Sequence, residues 1–183
     1  GRLPGRSERR PVVFRGDRMS SGLDSLYQTI ILEQARERAG EGTSAHADGS
    51  SHQVNPTCGD EITVQVDLDH GVVSDLRWEG AGCTISMASA SILSQLAVGW
   101  DVETARARIE QFRAGRRSRG ALELDEDDFE DGVALNGVSR FIMRVKCAMM
   151  SWVAFEAALA QAVAAGGDTD RARGRQSAGA AHC

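Results

Sequence analysis

The hydrophobic residues of the central stretch alternate with polar ones, which is typical of a strand with one buried face. Every second residue from Ile62 to Leu68 is hydrophobic, and the residues between them are polar. Residues 69–71 (Asp-His-Gly) have the composition of a turn. On the far side of the turn, one face of a return strand carries Val72, Ser74, Leu76 and Trp78. The stretch predicts an antiparallel hairpin with one face in water.

Helical spacing predicts four helices around this hairpin. The first begins near Leu23, is capped by Asp24 or Ser25 and ends at Gly40. The second runs from residue 83 to about 98, the third follows a cap at Asp101 and runs through residue 116, and the last begins around residue 144. Their apolar positions are, in order, Leu23, Leu26, Tyr27, Ile30 and Ile31; Ile85, Ala88, Ile92 and Leu96; Val102, Ala105, Ile109 and Phe112; and Val145, Met149, Trp152, Leu159 and Val163.

The other segments lack this periodicity. Residues 1–21 are rich in Arg, Gly, Pro and Ser and predict a disordered leader. Residues 166–183 predict a flexible tail, which leaves residues 22–165 as a single domain. Residues 41–53 predict a flexible loop. The acidic residues 123–131 predict a solvated segment, or one that meets a basic surface of a partner.

Composition narrows the functional classes. The chain has 183 residues and a net charge of -5, which does not give the basic footprint of a nucleic-acid-binding protein. No uninterrupted apolar run reaches the roughly 20 residues of a membrane span, and the N-terminus lacks the apolar core of a secretory signal. We therefore expect a cytoplasmic protein without nucleic-acid or membrane partners, whose cysteines stay reduced or bind metal.

Three cysteines and one aspartate are the candidate chemical groups. Cys58 precedes the predicted hairpin and Cys83 follows it, so the two lie at the same end, which Asp60 can also reach. Cys147 joins them from the last helix. At 100° per residue, Cys83 and Cys147 lie away from the apolar stripes of their helices, so core packing does not explain them. We predict that these four side chains bind one metal ion, for which zinc suits three thiolates and a carboxylate and clustered iron is an alternative.

Simpler interpretations exist for single residues. A lone cysteine is most often a small buried hydrophobe, which is the better interpretation of Cys83 taken alone. Asp60 can close a turn without binding metal. Cys183, at the end of the chain, is interpreted as a tail residue.

Several stretches resemble a known family. Residues 55–60 read Asn-Pro-Thr-Cys-Gly-Asp, residues 79–91 read Glu-Gly-Ala-Gly-Cys-Thr-Ile-Ser-Met-Ala-Ser-Ala-Ser, and residues 144–148 read Arg-Val-Lys-Cys-Ala. Together with Leu26-Tyr27 and residues 137–141, they make the chain similar to the SufU branch of the IscU-like (NifU N-terminal-like) iron–sulfur cluster assembly family over roughly residues 23–161. Two features favour that branch: an insertion at residues 99–131, and Lys146 before the last cysteine, where IscU has a histidine.

The resemblance implies an α+β fold with a small three-stranded antiparallel sheet and helices packed on one face. The third strand would come from the loop before Asn55. It also implies zinc bound by Cys58, Asp60, Cys83 and Cys147.

The implied activity is that of a zinc-dependent sulfurtransferase. Cys58 would accept persulfide sulfur from a SufS-type cysteine desulfurase, with other Suf assembly proteins as further partners. In the family, docking frees this cysteine from the metal, where a desulfurase histidine takes its place. Arg144 is the residue that would orient the sulfur.

Two alternatives remain open. The chain could be a scaffold that assembles and transfers an iron–sulfur cluster, or a binding module in which zinc only stabilises the fold. Two departures from the family pattern, at residues 34–40 and at Ile142 in place of a proline, concern partner docking and leave the predicted ligands intact.

Overall fold

The computed structural model describes residues 16–166, with side chains described from residue 22 onward. The elements are α1 (Gly16–Glu37), β1 (Gly49–Asn55), β2 (Asp60–Asp69), β3 (Val72–Ala81), α2 (Thr84–Ala97), α3 (Val102–Arg117), α4 (Glu126–Phe129), a 3₁₀ segment (Glu130–Arg140) and α5 (Ile142–Ala164). Helix α1 begins inside the predicted leader, because its first residue is Gly16. Residues 1–15 and 167–183, including Cys183, lie outside the described residues, so the domain limits stay a prediction.

The three strands form one antiparallel sheet in the order β1-β2-β3, which confirms the expected sheet. The hydrophobic residues of β2 all face the core and are at most 1% exposed: Ile62, Val64, Val66 and Leu68. The register shifts beside Asp67, so that Leu68 pairs with Val73. Because Ser74 is the extra residue in β3, Val73 rather than Val72 faces the core.

Strand β1 is polar, and part of it was expected to be a flexible loop. It pairs with β2 from Gly49 opposite Val66 to Asn55 opposite Asp60. Helix α5 packs on this strand. A Cβ at Gly49 would lie 1.9 Å from the Ala158 carbonyl oxygen, so the strand and the helix backbone are in direct contact.

The helices pack on one face of the sheet, as expected. Helix α5 contacts β1, β2, α2 and α3, and α1 packs against α2. Phe112 of α3 stacks on Trp152 of α5 with ring centroids 4.1 Å apart. Among the described helices, α5 alone has the length and composition of a membrane span, which inspection for an uninterrupted apolar run missed. Since 61% of that stretch is buried inside the protein, α5 is the central core helix.

Two predicted apolar faces are only partly buried, although Ile31 of α1 and Ile85 and Leu96 of α2 pack against the core. Leu23 and Leu26 of α1 are 47% and 53% exposed, and among the side chains of α1 that the structure describes the most buried is Gln34. Helix α2 is buried on several sides, whereas Ile85 and Leu96 of its predicted stripe are only partly buried. Serines make this burial possible because their hydroxyls are bonded, as Ser89 Oγ is to the Ala148 carbonyl oxygen at 2.6 Å.

The inserted segment is folded. As predicted, Asp101 caps α3, and its carboxylate accepts a hydrogen bond from the Thr104 amide at 2.6 Å. The acidic segment that follows is not simply solvated, because Leu124 and Phe129 are 8% and 2% exposed. Asp128 pairs with Arg108 at 2.7 Å, which ties the segment to α3.

Candidate metal centre

Cys58 lies on the turn at residues 56–59 between β1 and β2, and it is exposed. The turn is closed by a hydrogen bond from the Gly59 amide to the Asn55 carbonyl at 2.8 Å. Gly59 has φ +72°, and a Cβ there would meet nothing within 4 Å. The glycine is therefore required by the left-handed backbone rather than by lack of space.

Asp60, the first residue of β2, places a buried carboxylate beneath this turn, 5% exposed. Its Oδ2 accepts hydrogen bonds from Ser86 Oγ at 2.8 Å and from the Cys83 amide at 3.3 Å. Burial raises the pKa of Asp60, but the hydrogen bonds from Ser86, Cys83 and Cys58 outweigh it and hold the pKa below its ordinary value. The N-terminus of α2 also favours the negative charge.

Cys83 is the N-cap residue of α2 and is partly buried. Its Sγ lies 3.4 Å from Ser86 Oγ. Its side chain also lies within hydrogen-bonding range of Cys147.

Cys147 lies on α5 and is only 7% exposed. The prediction that it stands away from the core was wrong, because α5 is buried on more than one side. Burial raises the pKa of the Cys147 thiol to about 12, and the hydrogen bond with Cys83 and the charges of Cys83 and Cys58 add to the effect. The sulfur lies 3.7 Å from the Met143 carbonyl oxygen.

The structure brings three of the four predicted ligands together. Cys58, Asp60 and Cys147 each offer a ligand atom, and these atoms lie within 4.8 Å of one another. Sulfur ligands of one tetrahedral zinc ion stand about 3.8 Å apart, so a contraction of about 1 Å would suffice. Cys83 adjoins the group through Asp60 and Cys147 but is not part of it. The residues present therefore fit zinc in donor type and spacing, and the complete set of four stays a prediction.

Arg144 lies three residues before Cys147 in the first turn of α5 and is exposed. It lines an open cavity of about 950 Å³ together with Phe141, Ile142 and Met143. These three hydrophobic residues are 58–65% exposed. The described structure gives Arg144 no ion pair, so its predicted role in orienting sulfur stays a prediction.

Inspection of the sequence missed two residues that position Asp60. Ser86 donates the shorter of its two hydrogen bonds, and a Cβ at Gly82 would lie 2.8 Å from the Asp60 Cγ. Ser86 could have been found from its position, three residues after the N-cap residue Cys83. A side chain at this position can form hydrogen bonds with groups at the start of the helix. Gly82 follows the end of β3, and no pattern in the sequence connects it with Asp60.

Comparison with known proteins gives the family and the fold. The chain matches the model of the NifU-like N terminal domain over residues 26–161. It is 39% identical over 145 residues to the Bacillus subtilis (strain 168) protein named zinc-dependent sulfurtransferase SufU, across 78% of this chain and 95% of that protein. It is 34% identical over 134 residues to a Thermotoga maritima protein named iron–sulfur cluster assembly scaffold protein IscU, across 73% of this chain and 92% of that protein.

A solved structure shows the same fold. The crystal structure of a nitrogen-fixing NifU-like protein (N-terminal) from Brucella abortus matches with a TM-score of 0.70 at 22% identity, covering 78% of this chain and 97% of that one. The predicted α+β fold and the family resemblance are thereby confirmed. Because the family model covers most of its length, the chain belongs to the family of the NifU-like N-terminal domain.

Proposed function

We propose that the protein is a zinc-dependent sulfur acceptor in iron–sulfur cluster biogenesis, in which Cys58 takes up the sulfur. The contrast among the candidate ligands carries this proposal. Cys58 is exposed on a turn, whereas Asp60 and Cys147 are 5% and 7% exposed on a strand and a helix. One thiol can therefore meet a donor while the other groups keep their places. A metal that only stabilised the fold would be expected to have all its ligands buried.

Zinc suits this site chemically. Cys58, Asp60 and Cys147 would bind it, with Cys83 as the fourth ligand. A bound zinc ion would keep the thiol groups deprotonated at neutral pH, which matters most for Cys147 because burial raises its pKa to about 12.

The transfer itself is thiol–persulfide exchange. The Cys58 thiolate attacks the outer sulfur of a persulfide on the donor protein. A new S–S bond forms at Cys58, the S–S bond of the donor breaks, and the donor thiolate leaves with the electron pair. One persulfide replaces another, so the step needs no external oxidant or reductant.

A SufS-type cysteine desulfurase, which generates a cysteine persulfide, is the donor class that this chemistry requires. Arg144 lies one helical turn from Cys147, on the same side of α5. We assign to it the pairing with the negative charge of the incoming persulfide. The reducing cytoplasm is the compartment in which these thiols stay available.

The test measures alanine released from L-cysteine by the desulfurase, with and without this protein. Cys58→Ala should abolish the stimulation, because the acceptor sulfur is removed. Cys183→Ala should leave the stimulation unchanged, since Cys183 is not one of the predicted site residues. Full stimulation by Cys58→Ala would contradict the proposal.

A cluster scaffold is the second candidate, because thiolate ligands also bind iron–sulfur clusters and relatives carry the IscU scaffold name. Anaerobic reconstitution with iron and sulfide separates the two functions. A stable cluster that forms in preference to zinc and is passed to an apo-protein would favour the scaffold. Retention of zinc and sulfur uptake at Cys58 would favour the acceptor.

A further inference from the structure

A positively charged groove lies between α3 and α5. Its volume is about 440 Å³, and its lining includes Arg116, Arg117, Arg119 and Lys146. In the described part of the chain, no carboxylate lies within 4.0 Å of these four cations. The net charge of the chain is -5, so this local surplus of positive charge is opposite in sign to the protein as a whole.

Arg113 also lines the groove but does not add to the surplus. It forms ion pairs with Glu110 and with Glu156, the latter at 2.8 Å. Its charge is therefore already neutralised inside the protein.

The most buried of the cations is Arg116, which is 1% exposed. Its Nη2 donates to Asn136 Oδ1 at 3.0 Å, and the guanidinium lies 5.2 Å from the centroid of the Phe112 ring. Nε and Nη1 have no partner among the described residues. Burial lowers the pKa of Arg116 to about 10, so the group is still charged at neutral pH. A buried cation with free donors is costly unless an anion approaches it.

Arg119 occupies a position that glycine would normally fill. Its φ is +56°, just past the end of α3, and this left-handed conformation is unfavourable for residues that have a Cβ. The chain therefore accepts local strain where it presents a cation to the groove.

The floor of the groove is apolar. Ile142, Val145, Met149 and Val153 lie at helical spacing along one side of α5. Ile142 is 65% exposed and the other three are partly exposed. This stripe is about 16 Å long, enough for two to three turns of a docked helix.

We propose that this groove docks an acidic amphipathic segment of the sulfur-donating desulfurase, with apolar side chains on the α5 stripe and carboxylates against the exposed cations Arg117, Arg119 and Lys146. The inference rests on the proposed function, and Lys146, which lines the groove, immediately precedes the candidate ligand Cys147 in α5. Charge complementarity selects the occupant.

The alternatives on the chain itself fit less well. Residues 1–15 contain five arginines and one glutamate, so they would be repelled. The acidic residues 123–131 of a second copy could supply carboxylates, but Leu124 and Phe129 are buried and cannot cover the apolar floor.

The experiment measures sulfur uptake by the full-length protein as its concentration is raised against the cognate desulfurase. Binding is measured separately, without L-cysteine. Arg117→Glu and Arg119→Gly are compared with Arg106→Glu, an exposed arginine on the same helix about 16 Å from Arg117 and outside the groove. Both groove variants should raise the half-saturating concentration and the dissociation constant about tenfold or more at low salt, and less at high salt. Arg106→Glu should match the wild type.

Arg119→Gly separates docking from folding. Glycine relieves the left-handed strain, so the urea midpoint should stay the same or rise while docking weakens. Groove variants that behave like Arg106→Glu would overturn the inference, as would a lower plateau of uptake at an unchanged half-saturating concentration. Inorganic phosphate that binds the groove, without any effect of Arg117→Glu on the desulfurase, would show a small-anion site and overturn it too. Self-association that only Arg117→Glu abolishes would assign the groove to a second copy.

Failure of this inference differs from failure of the proposed function. If Arg117→Glu weakens desulfurase binding but the wild type takes up no sulfur, docking stands and sulfur acceptance is wrong. If sulfur reaches Cys58 in every variant with wild-type concentration dependence, acceptance stands and the docking groove is wrong.

Discussion

Replacing Gly82 by alanine should weaken metal binding without removing a ligand. A Cβ at this position would lie 2.8 Å from Cγ, 3.1 Å from Cβ and 3.1 Å from Oδ2 of Asp60. Since carbon atoms prefer a separation of at least about 3.5 Å, the carboxyl group would have to move by about 0.7 Å. Asp60 cannot do this freely, because Ser86 Oγ and the Cys83 amide hold its Oδ2.

The size of the effect follows from this displacement. Metal sites tolerate deviations of only about 0.2 Å in ligand distance, and changes to the groups that orient a ligand typically cost 10–100-fold in affinity. We therefore expect the zinc dissociation constant of Gly82→Ala to rise about 10- to 100-fold. The fold should lose little stability, because Gly82 is exposed and its φ is not left-handed.

The assay is competition for zinc against a chromophoric chelator, with urea unfolding of the metal-free protein measured in parallel. Gly22→Ala serves as the matched control, since nothing lies within 4 Å of a Cβ there. A zinc dissociation constant of Gly82→Ala within twofold of the wild type would show that the Asp60 carboxylate is not a metal ligand.

Three further predictions concern the metal and the fold. Gly49→Ala would place a Cβ 1.9 Å from the Ala158 carbonyl oxygen, in the backbone of α5. This clash should lower the free energy of unfolding by about 3 kcal/mol or more. An unchanged urea midpoint would refute the contact between β1 and α5. The hydrogen bond from the Thr104 backbone amide lowers the pKa of Asp101 below 3.8. The stability lost in Asp101→Ala should therefore be constant above about pH 5 and shrink as the pH falls through the lowered pKa. A stability difference between wild type and variant that grows in acid would contradict the cap. Removal of zinc by a chelator should lower the thermal midpoint while leaving the far-ultraviolet circular dichroism intact, because α5 and the sheet form a core without the metal; complete unfolding would favour a purely structural zinc.

Local patterns predicted the elements whose burial is one-sided. The alternation in β2 was sufficient because one face meets α5 and the other meets water, and Asp101 was recognisable because capping depends on a few neighbouring residues. Strand β1 has no such pattern. Pairing with β2 and packing against α5 hold it in the strand conformation, rather than the burial of its own side chains. Only the family resemblance indicated it.

The candidate site was predictable to a similar extent. The hairpin explains why Cys58 and Asp60 meet the start of α2, but no periodicity shows that Cys147 is buried, because that depends on how α5 packs. Likewise, the arginines of α3 form a groove only once α3 lies against α5. Helical spacing within α3 cannot reveal that contact.

Zinc-edge X-ray absorption on the zinc-loaded protein tests the shared metal site most directly. The account predicts three sulfur ligands at about 2.3 Å and one oxygen ligand at about 2.0 Å, with one sulfur lost in Cys58→Ser. A zinc ion bound by nitrogen and oxygen alone, or a sulfur count that Cys58→Ser leaves unchanged, would contradict it.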